Sequence, residues 1–178
     1  MLLWHEPILE TRHVSWPDEA GCAAWAQHLA RHEGLRNAHI QLLGPLGAGK
    51  TTFVRHLLRA LGVTGRIKSP TYAVLEPHLA PARPDSNLAA TLPGSDQAAG
   101  WAVSHFDFFR FEDPREWADA GFRDVFAAPG LKLCEWPEKA AGMLPTPDLR
   151  LHIAPQPHDD SRQVTVQALT PLGQGLLA

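Results

Sequence analysis

The sequence predicts an α/β fold, a sheet with helices on both faces and an antiparallel extension at its C-terminal end. Three observations carry this prediction. Short apolar runs alternate with segments of helical periodicity, a glycine-rich turn joins one run to a leucine-rich helix, and two alternating segments follow near the end. At 178 residues the chain is long enough for one domain with a real core and too short for two. A single domain over residues 1–178 is therefore expected.

Each element has its own signal. "ILETRHVSWPDEAGCAAWAQHLARHEG" reads as a short strand followed by a helix. Ser15, Pro17, Asp18 and Glu19 supply helix-start chemistry for that helix, and Gly34 is expected to close it. "NAHIQLLG" is a short apolar run ending at Gly44, suited to a buried parallel strand. "TTFVRHLLRALG" sets Phe53, Leu57, Leu58 and Leu61 on one helical stripe, which Gly62 stops. "TYAVLEPH", "WAVSHFDFF" and "LKLCEW" are strand-like, and "EDPREWADAGFRDVFAAPG" is helical with a glycine break. "LRLHIAP" and "QVTVQAL" alternate as a hairpin across the polar turn "QPHDDSR". Leu79 to Ala102, rich in Pro, Ala, Gly and Ser without apolar periodicity, reads as a flexible surface insertion.

Composition narrows the function. Hydrophobic content of 44% and charged content of 20% are globular values. A net charge of −3 argues against gripping nucleic acid or an anionic membrane unaided. Cys22 and Cys134 read as reduced thiols. No apolar run reaches the ~18–20 residues of a membrane span, and "MLLWHEPILE" carries acids rather than a basic leader, so a cytoplasmic protein is expected. His28 and His32 lie four apart but lack an H-E-x-x-H frame and read as a solvated helix face.

The strongest chemical signal is "GPLGAGKT", which fits G-x-x-x-x-G-K-[ST] as Gly44, Gly49, Lys50 and Thr51. Such a loop wraps phosphates with backbone N–H groups while the following helix points its positive end at them. Lys50 would reach the β- and γ-phosphates, and the Thr51 hydroxyl would complete a Mg²⁺ shell. The fold expected is thus P-loop NTPase-like.

A metal-bound triphosphate needs a carboxylate at the carboxyl end of a neighbouring strand. Asp107, near the end of "VSHFDFF" on the face shared by His105 and Phe109, and Glu135, closing "LKLCE", both qualify. Either could hold Mg²⁺ through water or orient an attacking water. Thr71, in the loop after the cradle's helix, is a candidate γ-phosphate switch, or else only a turn residue opening a strand.

"GPLGAGKTTF", "KSPTYAVLEP", "HFDFFRFEDPRE", "GFRDVF" and "CEWPEKA" occur here in an order that resembles the TsaE family, bacterial ATPases of tRNA threonylcarbamoyladenosine synthesis. The resemblance spans Ser15 to Val166 apart from the insertion. It implies ATP and Mg²⁺ as cofactors and weak hydrolysis alone. It also implies turnover within a complex with the heterodimer (TsaB–TsaD type) that threonylcarbamoylates an adenosine beside the tRNA anticodon, tRNA being met through that complex. By motif it assigns phosphate binding to Lys50 and the backbone of Gly47, Ala48, Gly49, Thr51 and Thr52. Mg²⁺ falls to Thr51 and Glu135, and support of hydrolysis near the γ-phosphate to Asp107. Trp136 resembles the family's Trp beside the metal-site Glu, although strand alternation would turn it to the other face as a packing residue. Glu19 resembles part of a segment closing over the nucleotide, and Arg162 an arginine near the tail strand. Pro45 stands where the family usually has an acid, Phe109 where Tyr is common, and the insertion is longer than usual.

A small P-loop metabolite kinase is the alternative, with Arg110, Arg115 and Arg123 to neutralise a transferring phosphoryl group. A GTPase lacks its N-K-x-D motif, and a binding-only module leaves the two strand-end acids unexplained.

Overall fold

The computed structural model describes residues 7–82, 100–113 and 115–178. They build a seven-stranded sheet from β1 (Glu10–Trp16), β2 (His39–Leu43), β3 (Leu75–Ala80), β4 (Trp101–Asp107), β5 (Leu131–Glu135), β6 (Leu149–Pro155) and β7 (Arg162–Ala168). Their spatial order is β1-β7-β6-β2-β5-β4-β3. The central four, β6, β2, β5 and β4, run parallel, and the outer pairs run antiparallel. The expected antiparallel hairpin at the C-terminal end is β6–β7, with β1 added beyond it.

Helices cover both faces. α1 (Glu19–Leu29) and α2 (Lys50–Ala60) lie on one, α3 (Arg115–Asp119) and α4 (Phe122–Ala127) on the other. The alternation of β5 shows the division: Leu131 and Leu133 join the core under α1 and α2, while Cys134 joins the aromatic cluster of Phe106, Phe108, Trp117 and Phe122. The stripe expected on α2 is buried, with Phe53, Leu57 and Leu58 at 0% exposure. Phe53 stacks on Trp16 at 5.6 Å and meets Trp25 at 5.5 Å, tying β1, α1 and α2 together. Phe53→Ala is expected to cost about 3–5 kcal/mol, read as a fall in denaturant midpoint.

Several boundaries differ from the sequence reading. Ser15 does not begin a helix; it pairs opposite Gln163 in β1, because the ladder to β7 runs through Trp16. The cap is Asp18, whose Oδ1 accepts from the Gly21 amide at 2.8 Å, and Pro17 precedes it. α1 ends at Leu29, and Gly34 lies inside a short 3-10 helix, Glu33–Asn37. The strand expected from Thr71 starts at Leu75, since the Val74 amide closes a turn onto the Pro70 carbonyl at 2.6 Å. β3 and β4 extend into both ends of the expected insertion, through Ala80 and from Trp101; residues 83–99 lie outside the described residues. Asp107 ends β4, so Phe109 does not share its strand face. α5 (Pro171–Leu176) was not expected, because Gly173 and Gly175 conceal it. Its signal was Thr170, which caps the Gly173 amide at 3.1 Å, followed by Pro171.

His39 begins β2 on the aromatic face, its ring edge-on to Phe126 at 5.0 Å. Burial, with Lys132 nearby, pushes its pKa down to about 3. The unfolded chain therefore takes up a proton at this side chain near pH 6.5, whereas the folded one does not. Stability is expected to be full above that pH and to fall as pH drops from about 6.5 toward 3. His39→Phe should flatten that dependence in urea titrations at stepped pH. Among the described residues no helix is long and apolar enough to cross a membrane.

Candidate nucleotide and metal site

The parallel strands β2, β4 and β5 bring their carboxyl ends to one edge of the sheet, where ligands of open α/β sheets gather. The chain leaves β2 through residues 44–49 and enters α2 at Lys50. Gly44, Gly47 and Gly49 have φ of 145°, 77° and 107°, which side-chain-bearing residues rarely adopt. A Cβ on Gly44 would stand 2.4 Å from the Ile153 carbonyl oxygen, so β6 forces glycine there as well. Around Gly47 and Gly49 the space is open, which leaves their backbone free to approach a ligand.

Lys50 is 5% exposed and its Nζ donates to the carbonyls of Gly44 at 2.6 Å and Pro45 at 2.9 Å. Burial lowers its pKa, and the carboxylates of Glu135, Glu138 and Asp107 oppose that shift. The Trp136 ring lies 3.9 Å from the same nitrogen, in cation–π contact. Trp136 thus departs from strand alternation. Its φ of 56° breaks the pleat just after Glu135 and turns its ring back toward Lys50, with Phe109 5.0 Å away.

Glu135 is 2% exposed, and both its carboxylate oxygens lie 2.9 Å from Thr51 Oγ1. Its Oε1 also meets His105 Nε2 at 2.8 Å. Asp107 sits directly across from Glu135 in the β4–β5 register. Asp107 Oδ2 accepts from Ser69 and from Thr71 Oγ1 at 2.9 Å, and Oδ1 accepts from the Phe109 amide at 3.0 Å. The two hydroxyls are themselves 2.7 Å apart. Thr71 is therefore tied to a carboxylate as well as belonging to a turn.

These groups line one cavity of about 340 Å³, bounded by the loop from Leu46 to Thr52, Ser69, Thr71, Asp107, Phe109, Glu135 and Trp136. Gly44 stands behind it, holding Lys50. A second cavity of about 420 Å³ shares Ala48, Gly49 and Thr52 with the first and is walled by Trp16, Asp18, Glu19, Cys22, Asp160 and Arg162. Arg162 donates from Nε to the Ala48 carbonyl at 3.1 Å, and Glu19 bonds His56 Nε2 at 2.9 Å. Burial pushes the Cys22 thiol up to about 12, so it faces this cavity protonated. Glu19 and Arg162 thus belong to the second cavity, apart from Lys50, Asp107 and Glu135.

A loop of exposed amides, a lysine, and a hydroxyl beside a carboxylate form the donor set for a phosphate chain with a hard cation such as Mg²⁺. The model of the TsaE family, described as threonylcarbamoyl adenosine biosynthesis protein TsaE, matches residues 16–164. The chain belongs to the TsaE family. It is 35% identical over 139 residues to the tRNA threonylcarbamoyladenosine biosynthesis protein TsaE of Haemophilus influenzae, covering 78% of this chain and 75% of that protein. With the protein of the same description from Bacillus subtilis it shares 31% over 130 residues, 73% and 69% of the two chains. The crystal structure of YdiB from Bacillus subtilis superposes with a TM-score of 0.68 at 21% identity, over 94% of this chain and 92% of that one, which establishes a shared fold.

Relative to this TsaE fold, sequence reasoning missed Ser69, although it stands in the quoted "KSPTY", and it gave His105 no role. His105 does share the face of Asp107 as expected, but its partner, Glu135, is supplied by the pairing of β4 with β5.

Proposed function

We propose that this TsaE-family chain is a single-domain, cytoplasmic ATPase that binds ATP with Mg²⁺. It hydrolyses the nucleotide in complex with the threonylcarbamoyl-transferase heterodimer of the TsaB–TsaD type, supporting turnover in tRNA modification. One observation carries the reading: Lys50, the Thr51–Glu135 pair and Asp107 converge on a single cavity closed by the glycine loop.

In this reading Lys50 and the amides from Gly47 to Thr52 hold the phosphate chain, and Thr51 and Glu135 hold Mg²⁺. When bound, the cation neutralises charge developing on the phosphoryl oxygens. Asp107 orients the attacking water, and Thr71, bonded to Asp107, couples the loop after α2 to the γ-phosphate position. Trp16, Glu19 and Arg162 border the neighbouring cavity, which has room for the nucleoside end. The metabolite-kinase alternative asks for arginines at the transferring group. Arg110 instead stacks over Tyr72 at 4.1 Å, Arg115 pairs with Asp113 at 2.7 Å, and Arg123 borders a different cavity.

The test is ATP turnover with and without the purified heterodimer and tRNA. Phosphate release to water should rise when both are added. Labelled phosphate on a small acceptor, with no stimulation by the heterodimer, would sink the reading.

A further inference from the structure

We propose that Glu76, His78 and His105 form a site for a zinc-class divalent cation, separate from the phosphate cavity and joined to it through His105. β3 and β4 pair antiparallel with Glu76 opposite His105 and His78 opposite Val103, so all three side chains emerge on one face of the sheet. One donor atom from each lies within 4.8 Å of the others. His105 is 0% exposed, and its Nε2 is engaged by Glu135 Oε1 at 2.8 Å. That leaves Nδ1 for the cluster, and among the described residues this buried nitrogen has no hydrogen-bond partner. His78 Nε2 is likewise buried without a partner there, its ring stacked on His105 with centroids 6.4 Å apart.

Buried polar atoms are normally satisfied, so two unsatisfied ring nitrogens beside a carboxylate ask for an explanation. A cation supplies one for both. Two imidazoles and one carboxylate are the donors of open zinc sites, with bonds of about 2.0–2.2 Å. Donors sharing such an ion stand about 3.4 Å apart, within reach of small side-chain rotations. Nitrogen donors select against Mg²⁺ and Ca²⁺, which prefer oxygen. A cation on Nδ1 also fixes the proton of His105 on Nε2, donating to Glu135, the familiar carboxylate–histidine–metal arrangement. Cation occupancy is thereby transmitted to the carboxylate that faces Thr51. The site rests on its own three donors and stands whether or not the nucleotide reading does.

Zinc titration of the full chain against a chromogenic chelator, in excess Mg²⁺, tests the proposal. One zinc per chain is expected. His78→Ala and Glu76→Gln should each weaken binding at least ~10-fold. The double variant His28→Ala with His32→Ala, which removes the neighbouring pair on and just beyond α1, should bind as the parent does. Anomalous scattering from a zinc-soaked crystal should place the ion on His78 Nε2 and His105 Nδ1, a readout that survives poor folding of any variant. Absence of zinc binding, parent-like affinity in both β3 variants, or an ion located elsewhere each overturns the site.

Discussion

Lys50→Ala should weaken ATP binding by at least ~100-fold, about 2.7 kcal/mol, in titrations with a fluorescent nucleotide analogue. The side chain is held in place before any ligand arrives. Two loop carbonyls accept from its ammonium, the Trp136 ring covers it, and solvent is almost excluded. A cation preorganised in a dry pocket is worth far more to a phosphate than a surface lysine, because little water screens it and no side-chain ordering remains to be done. Removing it also leaves the carbonyls of Gly44 and Pro45 without this donor, so the loop should loosen. Unfolding midpoints are expected to fall only slightly, since the core beneath α2 does not involve the ammonium. Affinity within threefold of the parent would end the assignment of Lys50 to phosphate.

Glu135→Ala should lower Mg²⁺-dependent turnover by roughly 100-fold or more, while circular dichroism remains that of the parent. Here stability and chemistry must be separated. The carboxylate accepts from Thr51 and meets His105 in a buried setting, so its loss leaves those partners unsatisfied at about 1–3 kcal/mol. Glu135→Gln resolves the ambiguity, since it keeps the shape and an acceptor oxygen but removes the charge. It should shift the Mg²⁺ concentration for half-maximal turnover upward by at least ~10-fold, with nearly normal stability. Equal turnover in Glu135→Ala and parent would defeat the metal assignment. Asp107→Asn offers a contrast, with slowed turnover at an unchanged Mg²⁺ requirement.

The agreement between sequence and structure follows period and motif. α2 was legible because Phe53, Leu57 and Leu58 repeat at helical spacing after a loop whose glycines have no substitute. β2 and β5 were legible as continuous apolar runs because both faces of a central parallel strand are covered. The helix start at Asp18 was misjudged at Ser15 because both residues are good caps, and only pairing with β7 assigned Ser15 to a strand. α5 escaped because two glycines weaken its local signal, while the packing at Gly173, where a Cβ would stand 2.0 Å from the Asp148 carbonyl oxygen, favours the smallest residue.

By itself the chain's order of residues determined the alternating α/β architecture, the phosphate loop and the identity of two strand-end acids, since each depends on near neighbours in sequence. Tertiary structure alone decided that Asp107 and Glu135 stand side by side, that Trp136 turns back over Lys50, and that Glu76 and His78 share a face with His105. Those relations arise from strand order, register and the turn after β5, which bring together residues from 27 to 86 positions apart and which no local pattern encodes.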